Sequence, residues 1–102
     1  VQDQAPEIRI QPMDNVRSLY YLRFMVLDQP GVLSQIAGVL GNHNISIASV
    51  IQRGRMEGGA VPLVAMTHTA QERDVQHAMA QIRNLPCVSE APVLIRVEGN
   101  EP

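Results

Sequence analysis

Between Leu19 and Leu27 the chain alternates, with Leu22, Phe24 and Val26 on one side of an extended strand and Tyr21, Arg23, Met25 and Leu27 on the other. The first side suits a core beneath helices. The second is too apolar for open water, which predicts a covered sheet face built on those four residues. After Asp28 the period lengthens. Leu33, Ile36, Ala37 and Leu40 recur at helical spacing, flanked by Val32 and Val39, and predict a helix from about Pro30 to Asn42. Pro30 fits its first turn, and Gly41-Asn42-His43-Asn44 supplies residues that tolerate a left-handed backbone and stop it.

Ile45 to Gln52 predicts a second strand and Ala60 to His68 a third, joined by the glycine-rich hairpin loop Arg53-Gly54-Arg55-Met56-Glu57-Gly58-Gly59. Pro62 should then sit at an edge, a strand start or a bulge, because it has no N–H for a ladder. Thr69 and Glu72 have the spacing of a capping box for a second helix, whose buried stripe is Val75, Ala78, Met79 and Ile82, with Leu85-Pro86 ending it. A fourth strand follows at Val93 to Val97, after an irregular stretch through Cys87 and Val88. The order β-α-β-β-α-β with two right-handed crossovers predicts an α+β, ferredoxin-like sandwich: a four-stranded antiparallel sheet with both helices on one face.

At 102 residues the chain has room for one domain. Residues 1–18 are polar and marked by Pro6 and Pro12. They read as a linker from a longer polypeptide, followed by a domain at 19–98 and a tail at 99–102. The net charge of −2 comes from ten acidic groups against eight arginines, so no basic face is expected and nucleic acid is not a predicted partner. No apolar run approaches the length of a membrane helix and no signal-peptide pattern opens the chain, so a cytoplasmic protein without a membrane partner is expected. The single cysteine, Cys87, excludes an internal disulfide, and its thiol is expected to pack as a small apolar group. His43, His68 and His77 lack a ligand spacing, so no metal site is predicted. The loop arginines Arg53 and Arg55 are read as a solvated hairpin tip.

The candidate chemistry lies at the strand-to-helix corner Asp28-Gln29-Pro30-Gly31-Val32-Leu33. Free N–H groups in a helix's first turn, with the positive end of its dipole, suit a carboxylate, and Asp28 suits an ammonium. A site for both charges suits an α-amino acid, and nothing nearby is equipped to transform one. Two plainer roles compete: Asp28 as a helix cap, and Asn44 as a helix terminator only. Enzymatic and RNA-binding alternatives on this topology fit less well. A phosphate cradle of the acylphosphatase type needs an arginine where this loop has Asp28, and an RNA-binding sheet needs stacking aromatics on its middle strands. A dimerisation module that binds no effector is the remaining rival.

Tyr20-Tyr21-Leu22-Arg23-Phe24 running through Val26, Asp28 and Pro30-Gly31-Val32-Leu33, then Ile36-Ala37, Leu40, His43-Asn44 and Ile45-Ser46-Ile47, resembles the ACT domain, an amino-acid-binding regulatory module. Further segments, Pro12-Met13, Ile47 to Gln52, Val61 to Val64, Thr67-His68 and Pro92 to Val97, are similar to the C-terminal domain of bacterial homoserine dehydrogenases. The resemblance implies a homo-oligomer, a dimer formed through its strands, linked to a catalytic domain of the same polypeptide. It implies an amino acid effector, threonine first, contacted by Asp28, Gln29, Pro30, Gly31, Val32, Leu33, Asn44, Ile45 and Ser46. It also implies an NAD(P)-dependent dehydrogenase as the parent protein. No cofactor or catalytic residue is expected in this chain, which lacks a Gly-x-Gly-x-x-Gly turn. Gln29 stands where the family often has arginine, so the corner carries one positive charge fewer.

Overall fold

A computed structural model describes residues 16–56 and 58–97. Its elements are β1 (Arg17–Leu27), α1 (Val32–Asn42), β2 (Ile47–Gln52), β3 (Ala60–Thr67), β4 (Ala70–Gln71), α2 (Glu72–Arg83) and β5 (Val93–Val97). The expected linker 1–18 falls outside the described residues as far as residue 15, and so does the tail 99–102. Arg17 and Ser18 belong to β1 rather than to a leading segment, because they pair with Gln71 and Ala70 of β4.

β1 is the central strand. It is antiparallel to β3 from Tyr21↔Met66 to Leu27↔Ala60, and to β5 from Leu19↔Val97 to Arg23↔Val93. β2 lies outside β3, so the order is β2-β3-β1-β5, with the short β4 extending the β3 flank along the start of β1. This is the ferredoxin-like arrangement expected, with an added strand. β4 is too short to show a period in sequence.

Alternation along β1 puts Tyr20, Leu22, Phe24 and Val26 on the helix side, facing Val61, Leu63 and Ala65 of β3 in the buried cluster. α1 contributes Val32, Ile36, Val39 and Leu40, and α2 contributes Val75, Ala78, Met79 and Ile82. Leu33, expected in the α1 stripe, is instead 50% exposed. The helix begins at Val32, and the phase set by Val32, Ile36, Val39 and Leu40 turns Leu33 outward beside the first turn.

Two further expectations shift. Pro62 lies in a central strand, the third residue of β3, opposite Met25. Its carbonyl accepts the Arg53 N–H (2.9 Å), so its own nitrogen faces the flank where β2 has already ended and no donor is missed. The Thr69–Glu72 capping box does not form around α2. Gln71 is the residue that caps it, without a side-chain bond, because Ala70 and Gln71 are taken into the β4 pairing. The Glu72 N–H donates to Val16 O (2.8 Å), and its carboxylate turns inward.

Candidate functional site

β1 delivers Asp28 to the top of the sheet, and the chain turns through Gln29 and Pro30 into α1. The corner is pinned from two sides. The Leu27 N–H donates to Cys87 O and the Asp28 N–H to Gly59 O, both at 2.8 Å. Gly31 precedes the helix with φ 87°, a left-handed conformation that glycine adopts without penalty, and no side chain caps α1. Asp28 therefore does not serve as the helix cap. No heavy atom lies within 4 Å of where a Cβ on Gly31 would stand, so the backbone there is open to approach.

The first α1-type bond runs from the Gln35 N–H to Gly31 O (3.0 Å), and the Val32 N–H makes a long contact to Gln29 O (3.5 Å). Among the described residues the N–H groups of Gly31, Leu33 and Ser34 have no acceptor. Three unbonded donors thus stand at the N-terminal, positive end of a helix of 11 residues.

The Asp28 carboxylate is engaged by the β2–β3 loop. Oδ2 accepts from Arg55 Nε (2.8 Å) and from the Met56 N–H (2.7 Å), and Oδ1 accepts a long bond from Gln52 Nε2 (3.4 Å). Arg55, then the Met56 N–H, hold its pKa below the ordinary carboxylate value. The Asp28 side chain is 8% exposed beneath this loop, while that of Arg55 is 69% exposed. Arg55 is thus not merely a solvated tip, as expected from sequence. Its partner lies 27 residues back, and no local pattern announces it.

Asn44, Ile45 and Ser46 lie at the other end of the sheet. β1 and β2 run parallel with β3 between them; Ile47 pairs with Thr67 while the Asp28 end of β1 meets Ala60. α1, about 16 Å long, separates the two segments. One chain does not bring them together. Asn44 has φ 64°, and the bonds Ile45 N–H to Leu40 O (3.0 Å) and Asn44 N–H to Gly41 O (3.1 Å) form a Schellman ending. Ile45 is 3% exposed and belongs to the core, whereas Ser46 is exposed and its carbonyl accepts the His68 N–H (2.9 Å).

The residues expected on the covered face form a continuous surface with neighbouring strands. Tyr21 lies between Met66 and Ile95, Arg23 between Val64 and Val93, and Met25 opposite Pro62. Ile95, Val93 and Ile51 are 51, 44 and 53% exposed, so the apolar face extends across all four long strands.

A second polar cluster escaped sequence reading. Glu72, 1% exposed, accepts from Tyr20 OH (2.7 Å), Arg96 Nε (2.8 Å), Arg96 Nη2 (3.1 Å) and Gln76 Nε2 (2.7 Å). Arg96 foremost lowers the Glu72 pKa to about 2, while burial and the Glu72 bond raise Tyr20 to about 12. This network ties β1, α2 and β5 together and has no free acceptor for a substrate. Beside it, α2 and the lead into β5 enclose a cleft of about 270 Å³, lined by Met79, Arg83, Pro92 and Leu94 among others, with no carboxylate to pair an ammonium. Cys87 is buried and donates to Gln35 Oε1 (3.2 Å); His43 Nε2 and Gln81 Oε1 are 3.0 Å apart. Among the described residues no group of three or more His, Cys, Asp or Glu side chains is placed to hold a metal ion, and no helix is long and apolar enough to cross a membrane.

The sequence profile of the ACT domain matches residues 20–87. Homoserine dehydrogenase of Neisseria gonorrhoeae is 40% identical over 90 residues, 88% of this chain and 21% of that protein. The Pseudomonas aeruginosa enzyme is also 40% identical, over 94% of this chain and 22% of its own length. The crystal structure of a homoserine dehydrogenase from Thiobacillus denitrificans superposes with a TM-score of 0.80 at 35% identity, covering 93% of this chain and 21% of that one. The ACT domain of a GTP pyrophosphokinase from Chlorobium tepidum shares the fold at a TM-score of 0.60 and 18% identity, over 80% of this chain and 100% of its own. The chain thus spans about a fifth of the length of the homoserine dehydrogenases it matches. Profile, relatives and strand order agree, and the chain belongs to the ACT domain family.

Proposed function

We propose that this chain is the regulatory domain of a homoserine dehydrogenase and that it senses a free α-amino acid, threonine first. The observation that carries the reading is the open first turn of α1. The N–H groups of Gly31, Leu33 and Ser34 offer a seat for a carboxylate, with Asp28 three residues before Gly31 as the matching anion for an ammonium. Leu33, exposed beside them, offers an apolar contact for a side-chain methyl.

Asn44, Ile45 and Ser46 join this site only from a second copy. β2 is an edge strand, with its outer backbone groups unpaired in one chain. Antiparallel pairing of two β2 strands about a two-fold axis sets the start of one strand, with Asn44 and Ser46, beside the end of the other. Gln52 and Asp28 stand at that end. The effector would then bridge two chains, and its binding would favour the geometry in which both halves of the site meet. Self-association through Tyr21, Arg23, Met25 and Leu27 would cover apolar surface but leave the two half-sites apart.

The dehydrogenase chemistry, and any NAD(P), belongs in this reading to the remaining part of the polypeptide. The corner has a single glycine, Gly31, and no Gly-x-Gly-x-x-Gly turn to cradle a dinucleotide. The reading is tested by calorimetric titration of the chain with L-threonine, then with other amino acids of the aspartate family. Saturable heat with threonine, weakened by Asp28→Ala at unchanged fold, is expected. No heat with any of them would leave a dimerisation module.

A further inference from the structure

The Asp28 carboxylate is already neutralised from within. Arg55 Nε and the Met56 N–H share Oδ2 at 2.8 and 2.7 Å, and Gln52 Nε2 reaches Oδ1 while also donating to Gly54 O (2.9 Å). Both Asp28 oxygens therefore already have partners within the chain, and the side chain is 8% exposed. The loop that does this is shaped for it. Gly54 (φ 92°) and Gly58 (φ 77°) take left-handed turns that fold the segment back over the corner. Gly59 lies so close to Met56 that a Cβ there would stand 2.8 Å from Met56 Cγ and Sδ. Its N–H donates to Met56 O (2.7 Å), so the residue whose N–H reaches Asp28 is also bonded through its carbonyl.

We infer that Arg55 is a built-in competitor for the ammonium position: Arg55 and Met56 hold Asp28 closed, and an amino acid takes the site by displacing them from that carboxylate. The inference rests on the proposed reading of the corner and adds the element that sets its affinity. An effector's ammonium makes the same kind of charge-assisted bond that Arg55 makes, so one is exchanged for the other at little net gain. Apparent affinity is then the intrinsic affinity multiplied by the fraction of chains with the loop released. The exchange also converts occupancy into motion. The loop between β2 and β3 adjoins the β2 edge, so its release is felt where a second copy pairs.

The test compares the wild-type chain with Arg55→Gln, titrating each with L-threonine by calorimetry and following the Met56 amide by hydrogen exchange. Arg55 is 69% exposed at its side chain, so the variant keeps the fold, and an unchanged amide spectrum outside the loop verifies it. Arg55→Gln should bind threonine tighter by about 10-fold or more, and binding by the variant alone would support the inference equally. In the wild type the Met56 amide should exchange slowly without ligand and faster at saturating threonine. If Arg55→Gln binds threonine no tighter than the wild type, or if threonine slows Met56 exchange further, the inference is overturned while the site reading stands. If neither chain binds threonine or any related amino acid, the site reading falls and the inference with it.

Discussion

Glu72 holds four short contacts at 1% exposure, and its partners lie 52 residues back at Tyr20 and 24 ahead at Arg96. Nothing in its local sequence indicates this, and the local pattern that was present, Thr69 three residues before it, pointed to a different role. Removing its charge leaves the Arg96 guanidinium and the Tyr20 hydroxyl short of an acceptor. Arg96 is 38% exposed and can turn toward water, which keeps the loss below that of a fully buried pair. Glu72→Gln should lower stability by roughly 2 kcal/mol in a denaturant titration at pH 7. The folded carboxyl titrates at about 2 against an ordinary 4.5, so its contribution is complete above about pH 4.5 and disappears as pH falls toward 2. Tyr20 behaves in the opposite sense. Its folded pKa is raised to about 12 from 10, so its contribution is complete below pH 10 and is lost as pH rises through 12. Urea midpoints measured across pH 2 to 7 should fall on the acid side in the wild type and flatten in Glu72→Gln. An identical acid slope in both proteins would contradict the assigned role.

Elements with a clear period were legible. β1, β3 and the stripe of α2 appear where alternation and helical spacing place them, because one face of each is buried in a single core. Their ends were not, since ends are decided by partners distant in sequence. β4 exists because Ala70 and Gln71 meet Arg17 and Ser18, and β2 starts at Ile47 because Asn44 and Ile45 are used to close α1. Of the candidate site, the corner and its open N–H groups could be read from Asp28-Gln29-Pro30-Gly31. The engagement of Asp28 by Arg55 could not, because it depends on how a glycine-rich loop folds back. Asn44 has two separable roles. A left-handed backbone at Ala costs about 1 kcal/mol more than at Asn or Gly. Asn44→Ala should therefore destabilise by about that amount, while Asn44→Gly should stay within about 0.5 kcal/mol of the wild type. If the Asn44 amide contacts the effector, Asn44→Gly loses threonine affinity at unchanged stability; equal affinity would confine Asn44 to ending the helix.

At the scale of the whole molecule, the proposed self-association has two candidate surfaces, the β2 edge and the open face around Arg23. They are distinguishable by charge. Arg23 is exposed and makes no ion pair within the described chain, so Arg23→Glu should leave the dimer mass in light scattering unchanged if pairing runs through β2. Loss of the dimer in that variant would place association on the face instead, and a monomeric wild type at micromolar concentration would contradict both. The measurement that tests amino-acid sensing most directly is an amide-resolved NMR titration of the chain with L-threonine. It should move the signals of Gly31, Val32 and Leu33 together with those of Asn44 and Ser46, saturating along one binding curve. Signals that stay fixed at saturating threonine, or that move only around Met79, Arg83 and Leu94 in the α2–β5 cleft, would contradict the account.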